Sequence, residues 1–170
     1  MAEERSGVVT LRGNAMTLLG PEINAGDAAP DFRAVDGKMQ DVTLASSAGK
    51  TRLFSVVPSL DTPVCATQTK TFNDKAAALG DDVILYTISV DLPMAQGRFC
   101  GAENTDKIIA ISDYQDRSFG ESYGVLMKEN KLLARSIFVI GPDDKVKYVE
   151  IVKDIVEFPD YDKALDAAKS

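Results

Sequence analysis

The stretch Arg52-Leu-Phe-Ser-Val-Val57, running into Pro58-Ser-Leu-Asp-Thr62-Pro63-Val-Cys65, decides how this chain is read. Arg52–Val57 is rich in aromatic and β-branched residues, the composition of a buried central strand. Thr62 is a good helix N-cap and Pro63 a good first helical residue. Ala66, Phe72, Ala76 and Leu79 then follow at helical spacing, and Gly80 stops the helix. The pattern predicts a buried strand, a proline-stiffened loop and a helix that carries Cys65 in its first turn.

Similar units continue downstream. Asp82–Val90 is a second β-branched strand, Leu92–Gly101 a short helix opened by Pro93, and Ile108–Ile111 a third strand. Arg117–Tyr123 reads as a short helix ended by Gly124. Ser136–Ile140 and Val146–Ile151 form a pair across the turn signal Gly141-Pro142-Asp143-Asp144, and Asp160–Lys169 is a closing amphipathic helix. Upstream, Val8–Leu11 and Ala15–Leu19 flank the turn signal Gly13-Asn14. Pro21–Pro30 is irregular, and short strands are expected at Phe32–Val35 and Asp41–Leu44 around the turn Asp36-Gly37. Strand–helix–strand–helix–strand followed by a hairpin and a helix argues for a mixed sheet. That order fits an α/β chain of thioredoxin-like fold, a mixed central sheet flanked by helices with an added N-terminal β-hairpin. Residues 1–170 are expected to form a single domain.

Composition excludes several functions. The chain has no His, so no Ser-His-Asp triad, Cys-His dyad or His-based zinc or haem site can be built. Its two Cys cannot supply a four-cysteine zinc or iron–sulfur site. A net charge of −7 argues against nucleic acid as a partner. No segment approaches the roughly 18–20 apolar residues of a membrane span. The start, MAEERSGVV, lacks the basic region and apolar run of a signal peptide, so a cytoplasmic location is expected. There, disulfides are usually transient and catalytic.

Other motifs read as structure. Ala48-Gly49-Lys50-Thr51 lacks the first glycine of a phosphate loop, where Leu44 stands. Gly120-Glu-Ser-Tyr-Gly124 is short and polar, which suits packing or caps. Asp81-Asp82 and Asp143-Asp144 read as solvated turn residues, outside any calcium-loop pattern.

Attention therefore falls on Cys65. In the first turn of a helix it meets unpaired backbone N–H groups and the positive end of the helix dipole. Such sites favour the thiolate, taking a free thiol from near pH 8.5 to roughly 3.5–7.5. Pro58 and Pro63 stiffen the loop, and the Thr62 hydroxyl is placed to donate to the sulfur or to a bound oxygen. A fixed cation is still required, and without His it must be Arg or Lys. Arg135, leading into Ser136-Ile-Phe-Val-Ile140, is the best-placed candidate. The alternative is a buried, inert thiol, the commoner fate of free cysteine, and Cys100 beside Phe99 reads that way from its neighbours alone. The chain would then be a binding module whose thiols do nothing. No Cys-x-x-Cys is present, which disfavours a general disulfide oxidoreductase.

Pro58-x-x-x-Thr62-x-x-Cys65 resembles the active-site motif of the peroxiredoxins. The longer Ser59-Leu-Asp61-Thr62-Pro-Val-Cys65 is similar to their thiol peroxidase branch. So is Ser89-Val-Asp91-Leu-Pro93-Met-Ala-Gln96-Gly-Arg98-Phe99-Cys100-Gly-Ala-Glu103. The resemblance runs from the N-terminal hairpin through Ala134-Arg135-Ser-Ile to the closing helix, and Pro63 stands where some members carry glycine. It implies a thioredoxin fold, usually as a homodimer, and reduction of hydrogen peroxide and organic hydroperoxides with no metal, haem, flavin or other cofactor. It also implies Cys65 as the peroxidatic and Cys100 as the resolving cysteine. Thr62 and Arg135 become polar partners of thiolate and peroxide, and Pro58 a shielding wall. A Cys65 sulfenic acid would condense with Cys100 to an intramolecular disulfide, recycled by a thioredoxin-like reductant. A one-cysteine cycle with Cys100 inert is the competing enzymatic reading. Since each cysteine is expected on its own helix, bringing the two Cα atoms to the roughly 4.4–6.8 Å of a disulfide requires local unwinding.

Overall fold

The computed structural model describes residues 3–170. The chain opens on an antiparallel hairpin, β1 (Glu4–Leu11) and β2 (Asn14–Leu19). Its turn is Arg12-Gly13, one residue earlier than the Gly13-Asn14 signal suggests, and both residues have positive φ, 50° and 83°. A two-residue hairpin loop needs that backbone. Asp154 makes it tolerable for arginine, because its carboxylate accepts the N–H groups of Arg12 at 3.3 Å and Gly13 at 3.0 Å.

Next come the two-residue strands β3 (Ala34–Val35) and β4 (Asp41–Val42), shorter than the apolar runs suggest. Thr43 diverts the chain into a 3-10 turn, Leu44–Ser47, with reciprocal Thr43–Ser46 capping. The main sheet then builds from β5 (Thr51–Val56), helix α1 (Pro63–Lys75), β6 (Val83–Ser89), helix α2 (Pro93–Glu103) and β7 (Ile109–Ser112). A short helix α3 (Ser118–Ser122) and a two-residue strand β8 (Leu126–Met127) follow. The hairpin β9 (Ser136–Ile140) and β10 (Val146–Ile151) and the helix α4 (Tyr161–Lys169) complete the chain. Helix α2 ends at Asn104, in the left-handed conformation, rather than at Gly101. The left-handed residue releases the last carbonyls to a C-cap.

The larger sheet has the order β10-β9-β5-β6-β7-β3-β4. β5, β6 and β7 are parallel, and β9 runs antiparallel to β5. Strand β8 pairs with β2, giving a second sheet of order β1-β2-β8.

All six residues of β5 are buried, as expected of a strand covered on both faces. Alternate residues feed opposite cores. Phe54 joins an aromatic cluster with Phe32, Phe119, Tyr123 and Phe138 on the side of α3. Leu53 faces Phe72 of α1 and Ala164 and Leu165 of α4. The arrangement is a thioredoxin-like mixed sheet with helices on both faces and an N-terminal hairpin beside it. Gly20 and Gly124 dock that hairpin: at either position a Cβ would collide with a backbone carbonyl. Among the described residues no helix is long and apolar enough to cross a membrane. The carboxyl ends of β5 and β6 lead into the loops that start α1 and α2, the edge where open α/β sheets place their ligands.

Candidate active site

Cys65 occupies the third helical position of α1 and is 1 % exposed. Thr62 stands at the N-cap with extended backbone, but its side chain does not cap the helix. Its hydroxyl donates to the Ser59 carbonyl at 2.8 Å. This corrects the expectation that the hydroxyl aims its proton at the sulfur or a bound oxygen. The tight turn before Pro63 brings a carbonyl closer than the pocket, so the proton goes there. The Thr62 oxygen keeps its lone pairs, and the uncapped first turn of α1 keeps its amides available.

Arg135 reaches this sulfur. It precedes β9, whose Ser136 pairs with Val56 at the carboxyl end of β5. Its side chain is buried and each guanidinium nitrogen makes one bond. Nε donates to the Ile155 carbonyl at 2.8 Å, Nη1 to Gln68 Oε1 at 2.8 Å and Nη2 to Cys65 Sγ at 3.2 Å. No carboxylate pairs with it among the described residues. A buried cation without a counter-charge is costly. The Cys65 sulfur is the group that Nη2 faces.

Gln68 was missed from the sequence. It is fully buried, donates through Nε2 to Ser55 Oγ at 2.8 Å, and so turns its oxygen toward Arg135. The signal was available: Cys65, Gln68, Thr69 and Phe72 share the buried face of α1 at spacings of three and four. A glutamine on such a stripe needs a polar partner. Thr69 lies on the same face and donates to the Cys65 carbonyl at 3.0 Å.

Pro58, Thr62, Cys65 and Arg135 line one pocket of about 350 Å³. Its other walls are mostly apolar, with Leu11 from the hairpin tip, Leu132, Ile155 and Val156, beside Arg12 and Asn130. Cys100 is not on this pocket. It lies half-buried on α2, and both cysteines are free. Its neighbour Phe99 packs on the small cluster of Val57, Leu60 and Cys65, so the two cysteine-bearing segments adjoin. Asp91, between β6 and α2, was also missed. It accepts bonds from Ser59 Oγ, the Leu60 N–H and Ser89 Oγ. Among the described residues no group of three or more Cys, Asp or Glu is arranged to hold a metal ion.

A thioredoxin-like sheet that presents a buried cysteine to an arginine defines a class, the thiol-based redox enzymes. The chain belongs to the Redoxin family, whose model matches residues 24–165, and within it to the thiol peroxidase branch of the peroxiredoxins. It is 48 % identical over 162 residues to a thiol peroxidase of Bacillus subtilis (strain 168), covering 95 % of this chain and 96 % of that one. It is 50 % identical over 162 residues to a thiol peroxidase of Staphylococcus aureus (strain MRSA252), covering 95 % and 98 %. The crystal structure of a peroxiredoxin-like protein from Aquifex aeolicus matches with a TM-score of 0.90 and 40 % identity over 97 % of this chain and 96 % of that one. Thiol peroxidase from Chromobacterium violaceum shares the fold, with a TM-score of 0.84 at 22 % identity over 93 % of each chain. The protein is a thiol-dependent peroxidase of the peroxiredoxin type.

Proposed function

We propose that the chain reduces hydrogen peroxide and organic hydroperoxides through Cys65, resolves the product with Cys100, and is recycled by a thioredoxin-like dithiol. The observation that carries this reading is Arg135 Nη2 at 3.2 Å from Cys65 Sγ, inside a pocket, with no carboxylate partner. The Cys65 thiolate attacks the terminal oxygen of the hydroperoxide. The S–O bond forms, the O–O bond breaks, and the terminal oxygen stays with sulfur together with its hydrogen as sulfenic acid. Sulfur is oxidised by two electrons and the peroxide is reduced by two. The leaving alkoxide or hydroxide takes a proton from solvent and departs as alcohol or water.

Charge develops on the departing oxygen, and preorganised donors stabilise it. The Arg135 guanidinium and the free amides of the first turn of α1 supply them. Thr62, its own proton committed to Ser59, accepts the hydroperoxide O–H and sets its orientation. Pro58 shields the sulfur from bulk water. The apolar walls at Leu11, Leu132, Ile155 and Val156 suit the organic group of an alkyl hydroperoxide.

The Cys100 thiol then attacks the sulfenic sulfur, releasing water and forming the Cys65–Cys100 disulfide. Both cysteines lie on helices, so at least one helix end unwinds in this step. Both ends can yield, since the first turn of α1 has no side-chain cap and Gly97 and Gly101 each weaken α2 by about 1 kcal/mol relative to alanine. A thioredoxin-like dithiol reduces the disulfide by exchange and becomes a disulfide itself. A single domain over residues 1–170, a cytoplasmic location and a homodimer complete the proposal.

Stopped-flow peroxide consumption with thioredoxin as reductant tests it. Cys65→Ser is expected to abolish turnover, and Cys100→Ser to stop after one equivalent. Intact mass after one equivalent of hydroperoxide should fall by two hydrogens. A stable species heavier by one oxygen would replace this with the one-cysteine cycle, and full activity in Cys65→Ser would overturn the reading.

A further inference from the structure

We propose that Asp91 is a positioning residue, a clasp between the loop that carries Cys65 and the base of the helix that carries Cys100. It would govern how readily the two sulfurs meet. This rests on the proposed role of Cys100. Asp91 follows β6 and is fixed from behind: its N–H donates to Ser89 Oγ at 3.2 Å, and its carbonyl accepts Ser112 Oγ on β7. Its carboxylate bonds both this base and the Cys65 loop. Oδ1 accepts Ser59 Oγ at 2.7 Å, and Oδ2 accepts the Leu60 N–H at 2.8 Å and Ser89 Oγ at 2.7 Å. One ionic side chain thus ties the Pro58–Thr62 loop to the strand end from which α2 starts. Gln96 reinforces this base by donating to Ser89 Oγ at 3.1 Å and to the Ile111 carbonyl at 2.8 Å.

The position is mechanically specific. A cleft of about 350 Å³ lies between the two segments, lined by Leu60, Asp91, Ala95, Arg98 and Phe99. When the first turn of α1 unwinds and frees Cys65 from its pocket, the Pro58–Thr62 loop moves with it, so in this proposal the Ser59 and Leu60 bonds break while the Ser89 and Ser112 bonds persist. The carboxylate therefore stabilises the closed site, where peroxide is attacked, over the open one, where the disulfide forms. Opening acts as a pre-equilibrium, so the disulfide rate follows the open fraction. The closed form still dominates without the clasp, so peroxide attack keeps its rate.

The test uses the reduced full chain, wild type, Asp91→Ala and Ser59→Ala, mixed with one equivalent of hydrogen peroxide. Samples are quenched in acid, alkylated and weighed over time, and a second series reads sulfinic acid under excess peroxide. Bonds to a charged acceptor of this kind shift an equilibrium by about tenfold or more. Disulfide formation should speed up about tenfold in Asp91→Ala and about threefold in Ser59→Ala, where one of the two loop bonds is removed. Sulfinic acid should fall at any given peroxide excess, and the peroxide step should stay within about twofold of wild type. Unchanged disulfide rates, or both steps slowed together as in a merely loosened fold, overturn the proposal. If Asp91→Ala does not fold, Ser59→Ala decides. If wild type forms no Cys65–Cys100 disulfide, the role of Cys100 and the clasp fall together. If wild type forms it and neither variant differs, the clasp alone falls.

Discussion

Two arginines are fully buried among the described residues, at opposite ends of one strand pair. Arg52 lies in β5 opposite Ile140, and Arg135 precedes β9 where Ser136 meets Val56. Arg52 donates to Ser47 Oγ and to the Leu44 and Gly141 carbonyls, and it pairs with Asp144 at 2.8 Å. Arg135 makes three contacts, one from each nitrogen, to Ile155, Gln68 and Cys65. The difference is a carboxylate. Arg52 has one, so its charge is neutralised and it staples the Leu44–Ser47 turn and the β9–β10 turn to the sheet. Arg135 has none among the described residues, and the cysteine sulfur stands where an acid would. On the proposed reading, a structural and a reactive guanidinium differ here in which anion the fold leaves out.

The largest expected effect is at the reactive end. Arg135→Met should lower the rate of peroxide reduction by about 10²–10³-fold while leaving a cooperative unfolding transition. Stopped-flow rates within tenfold of wild type would break the contrast. Arg52→Met should do the reverse. It should cost roughly 2–4 kcal/mol in denaturant unfolding, because Asp144 and two carbonyls lose their partner, with kcat/KM per folded molecule unchanged. Gln68→Leu tests whether Arg135 must be aimed. A drop of about tenfold in kcat/KM at near-wild-type stability is expected, and no drop would make the amide dispensable. Asp144→Asn should be mild. Its carboxylate is 54 % exposed, so screening leaves about 1 kcal/mol or less, and activity should not move.

The smallest effect concerns the segment behind Arg135. Asp154 holds the hairpin turn, and the N–H of Gly13 foremost, then the Thr10 hydroxyl, lowers its carboxyl to about 2. A lowered folded value means stability fully present above the ordinary 3.8 and lost as pH falls through about 2. Asp154→Asn should remove this part of the acid dependence, read as a flatter melting temperature between pH 4 and about 2.

Much of this was legible in the chain. β5, β6, β9 and α4 appear as unbroken apolar runs or a clear amphipathic stripe, because burial on the sheet demands that pattern. Proline and threonine marked the start of α1 because helix entry is a local matter. Most of what was missed depends on residues far apart in sequence. Strand β8 is two residues long and exists through β2. The turn at Arg12-Gly13 is set by Asp154, and the Thr62 proton by a carbonyl whose position only the folded loop fixes. Cys65 and Arg135 stood out as singular residues, whereas Gln68 and Asp91 look ordinary until their partners arrive from Ser55, Arg135, Ser59 and Leu60.

The hairpin has one more consequence. Leu11 and Arg12 reach the rim of the pocket from its tip, whereas the sulfur and the guanidinium come from the main sheet and its first helix. The hairpin joins the rest near the pocket through backbone bonds at Lys153 and Ile155 and through Asp154. On the proposed reading, part of the selectivity sits on a piece of chain separate from the reactive groups, beside the walls at Leu132, Ile155 and Val156. The tip can drift, or be exchanged in the laboratory, and retune which hydroperoxides enter while the chemistry at sulfur stays the same.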